Sequence, residues 1–464
     1  MAAPDSVEEV VRRARAAQAS FADATQEQAD DAVTALAWAI YEPGRARELA
    51  ELAVEDTGIG NVPDKVVKNQ RKTFGALRDL LRARSVGVIG EDPARGLVKY
   101  AKPVGVVAAI TPSTNPAATP VNKAMFAVKG RNAIVVAPSP AGHVTTARAV
   151  AYMRAGLSRI GAPPDLVQVL PSPASKAMTA ELMRRADLVV ATGSQSNVRR
   201  AYASGTPAIG VGAGNVPVIV DETADLADAA RQIAASKTFD NATSCSSENA
   251  LVVVDACYDA AIAALEATGG YLATAEERER IVRTLWRDGM LNRAVIARDA
   301  DVQARAFGLG SGSEGKRFFL VEEQGIGPEH PLSGEKLSLV LTVYRARDFD
   351  HAVETTRRIL EFQGRGHSCG VHTRDPARAR RLAAELPVVR VLVNQAHTFG
   401  NGGGFDNGLS FTLSMGCGTW GGNSISENLS YRHFLNITFL VTTIPEDRPS
   451  EEELFGAFWA KHGR

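Results

Sequence analysis

The chain reads as α/β, with two doubly wound domains and a small arm of extended chain. Three features predict this. Short apolar runs of strand length recur at 104–110, 133–137, 166–170 and 188–191, separated by helical stretches such as 121–129. That is the rhythm of buried parallel strands joined by crossover helices. It restarts after Gly214, with an alanine-rich helix near 226–236 and strands at 250–254, 337–343, 367–372 and 388–394, so a second α/β domain is the simplest account. Finally, β-rich segments at 85–100 and 431–443 stand outside both series and fit edge strands that need a partner.

Taken in order, the first hundred residues begin helical. Val7, Val10, Val11 and Ala14 share one helical face, and Thr25 with Gln28 makes a capping-box signal for a second helix carrying Val33, Leu36, Ala37 and Ile40. Glycines cluster between Gly400 and Gly422, too densely for a helix interior, and predict loops near a site. The expected division is a first domain over 1–213 with its arm strands near 85–100, a second over 214–415 carrying Cys245, and a C-terminal return and edge strand over 416–464.

Bulk properties exclude several classes. With 464 residues, 45% hydrophobic and 22% charged, the composition is that of an ordinary globular enzyme. Lys and Arg total 52 against 52 Asp and Glu, which leaves no field to gather nucleic acid or an anionic membrane. Residues 1–9 are acidic, without a basic stretch leading into an apolar core, and no run has the length a membrane span needs. A cytoplasmic protein is expected. Cys245, Cys257, Cys369 and Cys417 lack CxxC or His-Cys spacing, so neither metal nor disulfides are expected.

One cysteine has a different setting. Cys245 lies in a loop of small polar residues (Ser244, Ser246, Ser247) between a helical run and the apolar strand at 250–254, where a thiol is accessible as a nucleophile. In chain order there are also Pro103-Val104-Gly105-Val106, Thr111-Pro112-Ser113-Thr114-Asn115-Pro116, Thr192-Gly193-Ser194, Val211-Gly212-Ala213-Gly214-Asn215 and Glu335-Lys336-Leu337. Together these resemble the aldehyde dehydrogenase superfamily, over nearly the whole chain.

The resemblance implies a mechanism. An aldehyde carbon offers no hydride until a nucleophile has made it tetrahedral; a thiolate does so, and a thioester remains. Cys245 matches that nucleophile, and Asn115 matches the side-chain amide that helps hold the oxyanion. Gly193 and Ser194 match the turn opening a helix beside the cofactor pyrophosphate, with Thr111, Pro112, Ser139 and Gly212 in the cofactor site and Glu335 on the nicotinamide ribose. The loop His397-Thr398-Phe399, running on to Phe405, corresponds to the family's aldehyde pocket. Its glycines Gly402, Gly403 and Gly404 are expected to turn backbone N–H groups toward an anion such as a sulfonate. The edge strands imply a homodimer or homotetramer.

Two departures from the family pattern carry information. Hydrolytic members have a glutamate where this chain has Val211, and valine cannot activate water. A thiol cosubstrate brings its own nucleophile, so coenzyme A is expected to release an acyl-CoA. The stretch 408–428 resembles the acylating branch, and 394–401 resembles sulfoacetaldehyde and acetaldehyde dehydrogenases. Secondly, Ala137-Pro138-Ser139-Pro140 lacks the lysine and glutamate that favour NAD, so either NAD or NADP fits. The alternatives are an acylating acetaldehyde dehydrogenase, a hydrolytic enzyme using a substitute base such as Glu248, release of an acyl phosphate, and a non-catalytic relative.

Overall fold

A computed structural model describes residues 6–464; the expectation about the first nine residues therefore lies partly outside the described part. Two parallel sheets stand in sequence, each with its own apolar core. The first has five strands in the spatial order Val167–Val169, Ala133–Pro138, Val106–Thr111, Leu188–Ala191, Ala208–Gly210. Numbered along the chain this is 3-2-1-4-5, the doubly wound order. The strands Val106–Thr111, Ala133–Pro138 and Leu188–Ala191 are buried throughout, which is why they read as continuous apolar runs.

The order reverses between Val106–Thr111 and Leu188–Ala191, and in such sheets a crevice opens beyond the carboxyl ends at that point. Thr111-Pro112 and Thr192-Gly193 leave the sheet there. Lys123, fully buried on the helix Ala118–Lys129, donates to the carbonyls of Ile110 and Val190, both at 2.9 Å. Burial pushes its amine well below the usual lysine range. These carbonyls close the floor of the crevice.

The second sheet has seven parallel strands in the order Gly270–Leu272, Phe318–Glu322, Val340–Ala346, Glu248–Val254, Val216–Val220, Cys369–His372, Val391–Val393. Expected strand positions hold to within a few residues. Val216–Val220 and Phe318–Glu322 were not singled out from the sequence, and the strand expected at 337–343 runs over Val340–Ala346, because Leu337 takes φ +46° in the loop before it. The arm is a three-stranded antiparallel sheet of Gly87–Asp92, Leu97–Pro103 and Leu435–Val441. Its last strand leaves Phe439 and Val441 exposed. A terminal helix, Glu451–His462, has no buried residue.

Four helices precede the first sheet. The fourth, Val62–Leu81, is unusual in what it buries: Lys65, Lys68, Asn69, Lys72, Thr73, Gly75, Ala76 and Leu80. Its face toward the protein is cationic along one half and small along the other. Gly75 is there for contact. A Cβ on it would lie 2.3 Å from the Phe411 ring, in the segment that returns from the second sheet. Alanine normally gains about 1 kcal/mol over glycine in a helix interior, but overpacking costs about 1–3 kcal/mol. Gly75→Ala is expected to lower the urea midpoint, against the helix-propensity trend; a raised midpoint would show that Phe411 moves aside freely.

Candidate active site

The crevice of the first sheet opens into a cavity of about 720 Å³ that also receives the loops entering the second sheet. From the first sheet come Thr111, Pro112 and Asn115, then Ser139, then Gly193 and Ser194. From the second come Gly212 and Gly214 ahead of Val216–Val220, Cys245 ahead of Glu248–Val254, and Glu335 ahead of Val340–Ala346. The outgoing edge of one sheet thus faces the incoming edge of the other. The cavity is of a size suited to a cofactor and a small substrate.

Local hydrogen bonding fixes each contributor. Ser139 N–H donates to the Thr111 carbonyl at 3.0 Å, and Thr192 N–H to that of Ile110 at 3.0 Å. Gly193 takes φ +143°, a conformation rarely open to other residues, and Ser194 caps the helix Gln195–Tyr202. Gly214 permits contact with the nucleophile loop: a Cβ there would be 2.2 Å from the Cys245 carbonyl oxygen. Lys336, buried, donates from Nζ to the carbonyls of Leu332 (2.7 Å) and Gly334 (3.0 Å), which pins the turn that presents Glu335.

Cys245 is the one cysteine of the four that is only partly buried. Its backbone N–H makes no hydrogen bond among the described residues. Asn115 is nearly as free, with Nδ2 only 3.4 Å from Thr114 Oγ1 and a buried, unpartnered Oδ1. Two donors on the same cavity wall as the thiol are what an oxyanion requires. Burial, and then the Glu335 carboxylate, push the Cys245 thiol up to about 12, so at rest it is protonated. Burial pushes Glu335 up to about 7, against the pull of Lys336 and Lys237.

The Cys245 loop is entered through Asp240, Asn241 and Ala242, all left-handed at φ +51°, +53° and +59°. Asp240 is fully buried and anchors this run. It accepts from Asn61 N–H (3.0 Å), Thr243 Oγ1 (2.7 Å), Lys65 Nζ (3.1 Å) and Lys68 Nζ. Burial raises the carboxyl, but Lys68 and Lys65 outweigh it and hold Asp240 below the usual carboxylate range. Lys65 is driven down to about 8 by burial, partly restored by Asp240. Nothing in the sequence pattern marked this anchor.

The chain matches the aldehyde dehydrogenase family profile over residues 1–284. The chain belongs to the aldehyde dehydrogenase family. It is 56% identical to the acylating sulfoacetaldehyde dehydrogenase of Cupriavidus necator, covering 100% of this chain and 94% of that one. It is 46% identical to the acylating sulfoacetaldehyde dehydrogenase of Bilophila wadsworthia, over 99% and 100% of the two chains. Among solved structures, an acetylating aldehyde dehydrogenase from Geobacillus thermoglucosidasius superposes with a TM-score of 0.92 at 36% identity, covering 96% of this chain and 98% of that one.

Against the family pattern, the cavity brings together Cys245, Asn115, Thr111, Pro112, Ser139, Gly193, Ser194, Gly212, Glu335 and Thr398. His397 and Phe399 do not share that wall. His397 is sealed beneath it at 1% exposure, with Nδ1 2.9 Å from the Ser246 carbonyl, so it braces the nucleophile loop. Phe399 lines a smaller adjoining lobe. Of the expected nest of glycine N–H groups, two are spent within the loop: Gly403 N–H donates to the Gly400 carbonyl and Gly404 N–H to Asn407 Oδ1. Gly402 offers its carbonyl, to Lys72 Nζ at 2.8 Å. Phe405 and Trp420, aromatic residues of the glycine-rich loops, are about half exposed and off the cavity wall.

Several lining residues were missed from the sequence. Lys72 sits on the cavity wall, and burial followed by the charge of Arg71 drives its amine down to about 7. Lys176, the first residue of the helix Lys176–Arg185, and Arg200, in the last turn of the helix Gln195–Tyr202, also line it. No group of three or more His, Cys, Asp or Glu among the described residues is placed to hold a metal ion.

Two outcomes follow. Asp240→Asn keeps the shape but strands two buried ammonium groups, and a buried pair broken from one side costs about 3–5 kcal/mol; urea unfolding should show a loss of that order, and a loss below about 1 kcal/mol would mean the anchor is dispensable. For the thiol, a negative neighbour disfavours the thiolate. The rate of Cys245 alkylation by iodoacetamide is expected to keep rising with pH above 9 in the native enzyme, and Glu335→Gln to shift that profile to lower pH. An unmoved profile would show that Glu335 does not act on the thiol.

Proposed function

We propose that the protein oxidises an aldehyde to a coenzyme A thioester, with NAD(P)+ as oxidant, through an acyl group carried on Cys245. The Cys245 thiol gives up its proton to solvent as its sulfur adds to the aldehyde carbon, and the carbonyl oxygen, now an oxyanion, accepts from Asn115 Nδ2 and the Cys245 N–H; when the C=O re-forms, the C–H bond breaks with loss of hydride and a thioester is left on Cys245. NAD(P)+, when bound, supplies the hydride acceptor. Its adenosine and pyrophosphate would lie along Ser139, Gly193 and Ser194, with Thr111, Pro112 and Gly212 beside them and Glu335 at the nicotinamide ribose. The coenzyme A sulfur then attacks the thioester, its C–S bond forms as that to Cys245 breaks, and the thiol is regenerated. Residues 1–213 would serve the cofactor and 214–415 the acyl transfer.

One observation carries the acylating reading. Val211 lines the cavity at the position where hydrolytic relatives place their water-activating glutamate. The substitute base considered from the sequence, Glu248, is 0% exposed and accepts from His397 N–H at 3.1 Å, out of reach of water in the cavity. Glu335 is the one carboxylate among the described residues on the wall. Hydrolysis would therefore have to run through Glu335, and it is the second reading the geometry leaves.

The aldehyde is proposed to be sulfoacetaldehyde and the product sulfoacetyl-CoA, on the strength of the two relatives that bear that name and of the 394–401 stretch. The absence of an acidic residue after Pro138-Ser139, with Lys176 and Arg200 on the same wall, admits a 2′-phosphate as well as NAD. The exposed apolar strand Leu435–Val441 supports pairing of arms in a homodimer or homotetramer. No helix among the described residues is long and apolar enough to cross a membrane, and the four unpaired cysteines suit the reducing cytoplasm.

Product analysis with and without coenzyme A tests the reading. The wild type is expected to yield acyl-CoA, and little free acid when coenzyme A is withheld. Cys245→Ala should abolish both products while leaving NAD(P) binding intact, and Val211→Glu should raise free-acid release. Free acid formed as fast without coenzyme A as acyl-CoA is with it would overturn acylation in favour of hydrolysis.

A further inference from the structure

Beside the thiol, on the side of Asn115, the main cavity continues into a small lobe whose chemistry nothing above explains. Three cationic side chains line it, Lys68, Arg71 and Lys72, backed by Phe239, Phe399 and Leu413, and no carboxylate does. Asn115, Ser244 and Thr398 belong to both walls. A group in the lobe therefore lies next to whatever is attached to Cys245.

The three cations are not equivalent. Lys68 is committed to Asp240 and Thr243. Lys72 gives one hydrogen to the Gly402 carbonyl and has no acidic partner. Arg71 is the least satisfied: its Nη1 is buried without any hydrogen-bond partner, and it forms no ion pair among the described residues. The rings of Phe399, Phe405 and Phe411 surround its guanidinium, with centres 5.4 to 5.5 Å from Cζ. Such contacts hold a cation in place but leave its in-plane N–H donors unused. Burial lowers its proton affinity, opposed by the charge of Asp406. A half-dried guanidinium with an idle donor costs stability unless something pairs with it.

We propose that Arg71, supported by Lys72, recognises an anionic group on the aldehyde itself, held one or two carbons from the carbonyl. A guanidinium presents paired N–H donors to two oxygens at once, and a tetrahedral sulfonate has a third oxygen for the ammonium of Lys72. The lobe adjoins the thiol, which limits the spacer to a short one. The inference rests on the acylating reading for the identity of the reaction, and names the group that would select its substrate. It also relocates the anion site from the glycine loop to the helix Val62–Leu81.

The test compares kcat/KM for sulfoacetaldehyde and for propanal, which has no charge, in the wild type, Arg71→Gln and Arg71→Lys. Arg71→Gln is expected to lose roughly 10- to 100-fold on sulfoacetaldehyde, the worth of charge-assisted hydrogen bonds, and less than about threefold on propanal, with Arg71→Lys recovering part of the loss. Equal losses on both substrates, or none on sulfoacetaldehyde, would overturn the proposal. A second measurement needs no variant and no turnover: ethanesulfonate should protect wild-type Cys245 from iodoacetamide, whereas ethyl methyl sulfone at the same concentration should not. Equal protection, or none from ethanesulfonate, also overturns it. If the wild type forms no acyl-CoA from either aldehyde, the acylating reading fails, and the protection assay still decides the anion site by itself.

Discussion

The buried carboxylate of Asp240 is the constraint on which the site's geometry depends. Three consecutive residues in the left-handed region, one of them alanine, cost on the order of 1–2 kcal/mol each for residues with a Cβ. Asp240 offsets that by bonding two lysines and a backbone N–H on elements distant in sequence, together with the neighbouring Thr243 hydroxyl. The chain is thereby turned sharply just before Thr243, and Ser244 and Cys245 emerge on the cavity wall. The same ion cluster draws the cationic face of the helix Val62–Leu81 inward. Nucleophile placement and the character of the adjoining lobe therefore have one cause.

Burial then sets the resting charge of the site. It holds the Cys245 thiol protonated and brings Lys72, its neighbour across the cavity, down to about 7. Water-poor surroundings weaken both charges, while a fixed guanidinium stays ionised because its ordinary affinity for the proton is so high. The cavity thus presents a neutral thiol beside a permanent cation. Its reactivity is conditional on what enters.

Much of the fold was legible in the amino-acid order because parallel strands covered on both faces must be apolar without interruption. The runs ending at Ile110, Ala137 and Ala191 announce themselves for that reason. The residues proposed to react were legible for another: Cys245, Asn115 and Glu335 stand in short segments where backbone turns and chemistry coincide. Arg71, Lys72 and Asp240 were not, since a stripe of lysines at helical spacing ordinarily reads as a solvated face. Only tertiary contact reveals that Lys65, Lys68 and Lys72 point inward. A stripe ending in Gly75 and Ala76 was the available hint, because small residues suggest something lies close. The glycine loop misled in the opposite sense: the Gly403 and Gly404 N–H groups are consumed by its own turns, which sequence cannot count.

Gly214 links the two sheets in a way that bears on motion. Its missing side chain lets the strand-entry segment of the second sheet rest directly against the peptide of Cys245, while Val211, three residues earlier, is hydrogen-bonded to Ala191 at the end of a strand in the first. No flexible side chain cushions that path. A rocking of one sheet against the other would be transmitted to the sulfur almost undamped, so the distance between that sulfur and the Asn115 amide becomes a gauge of how the two halves are seated.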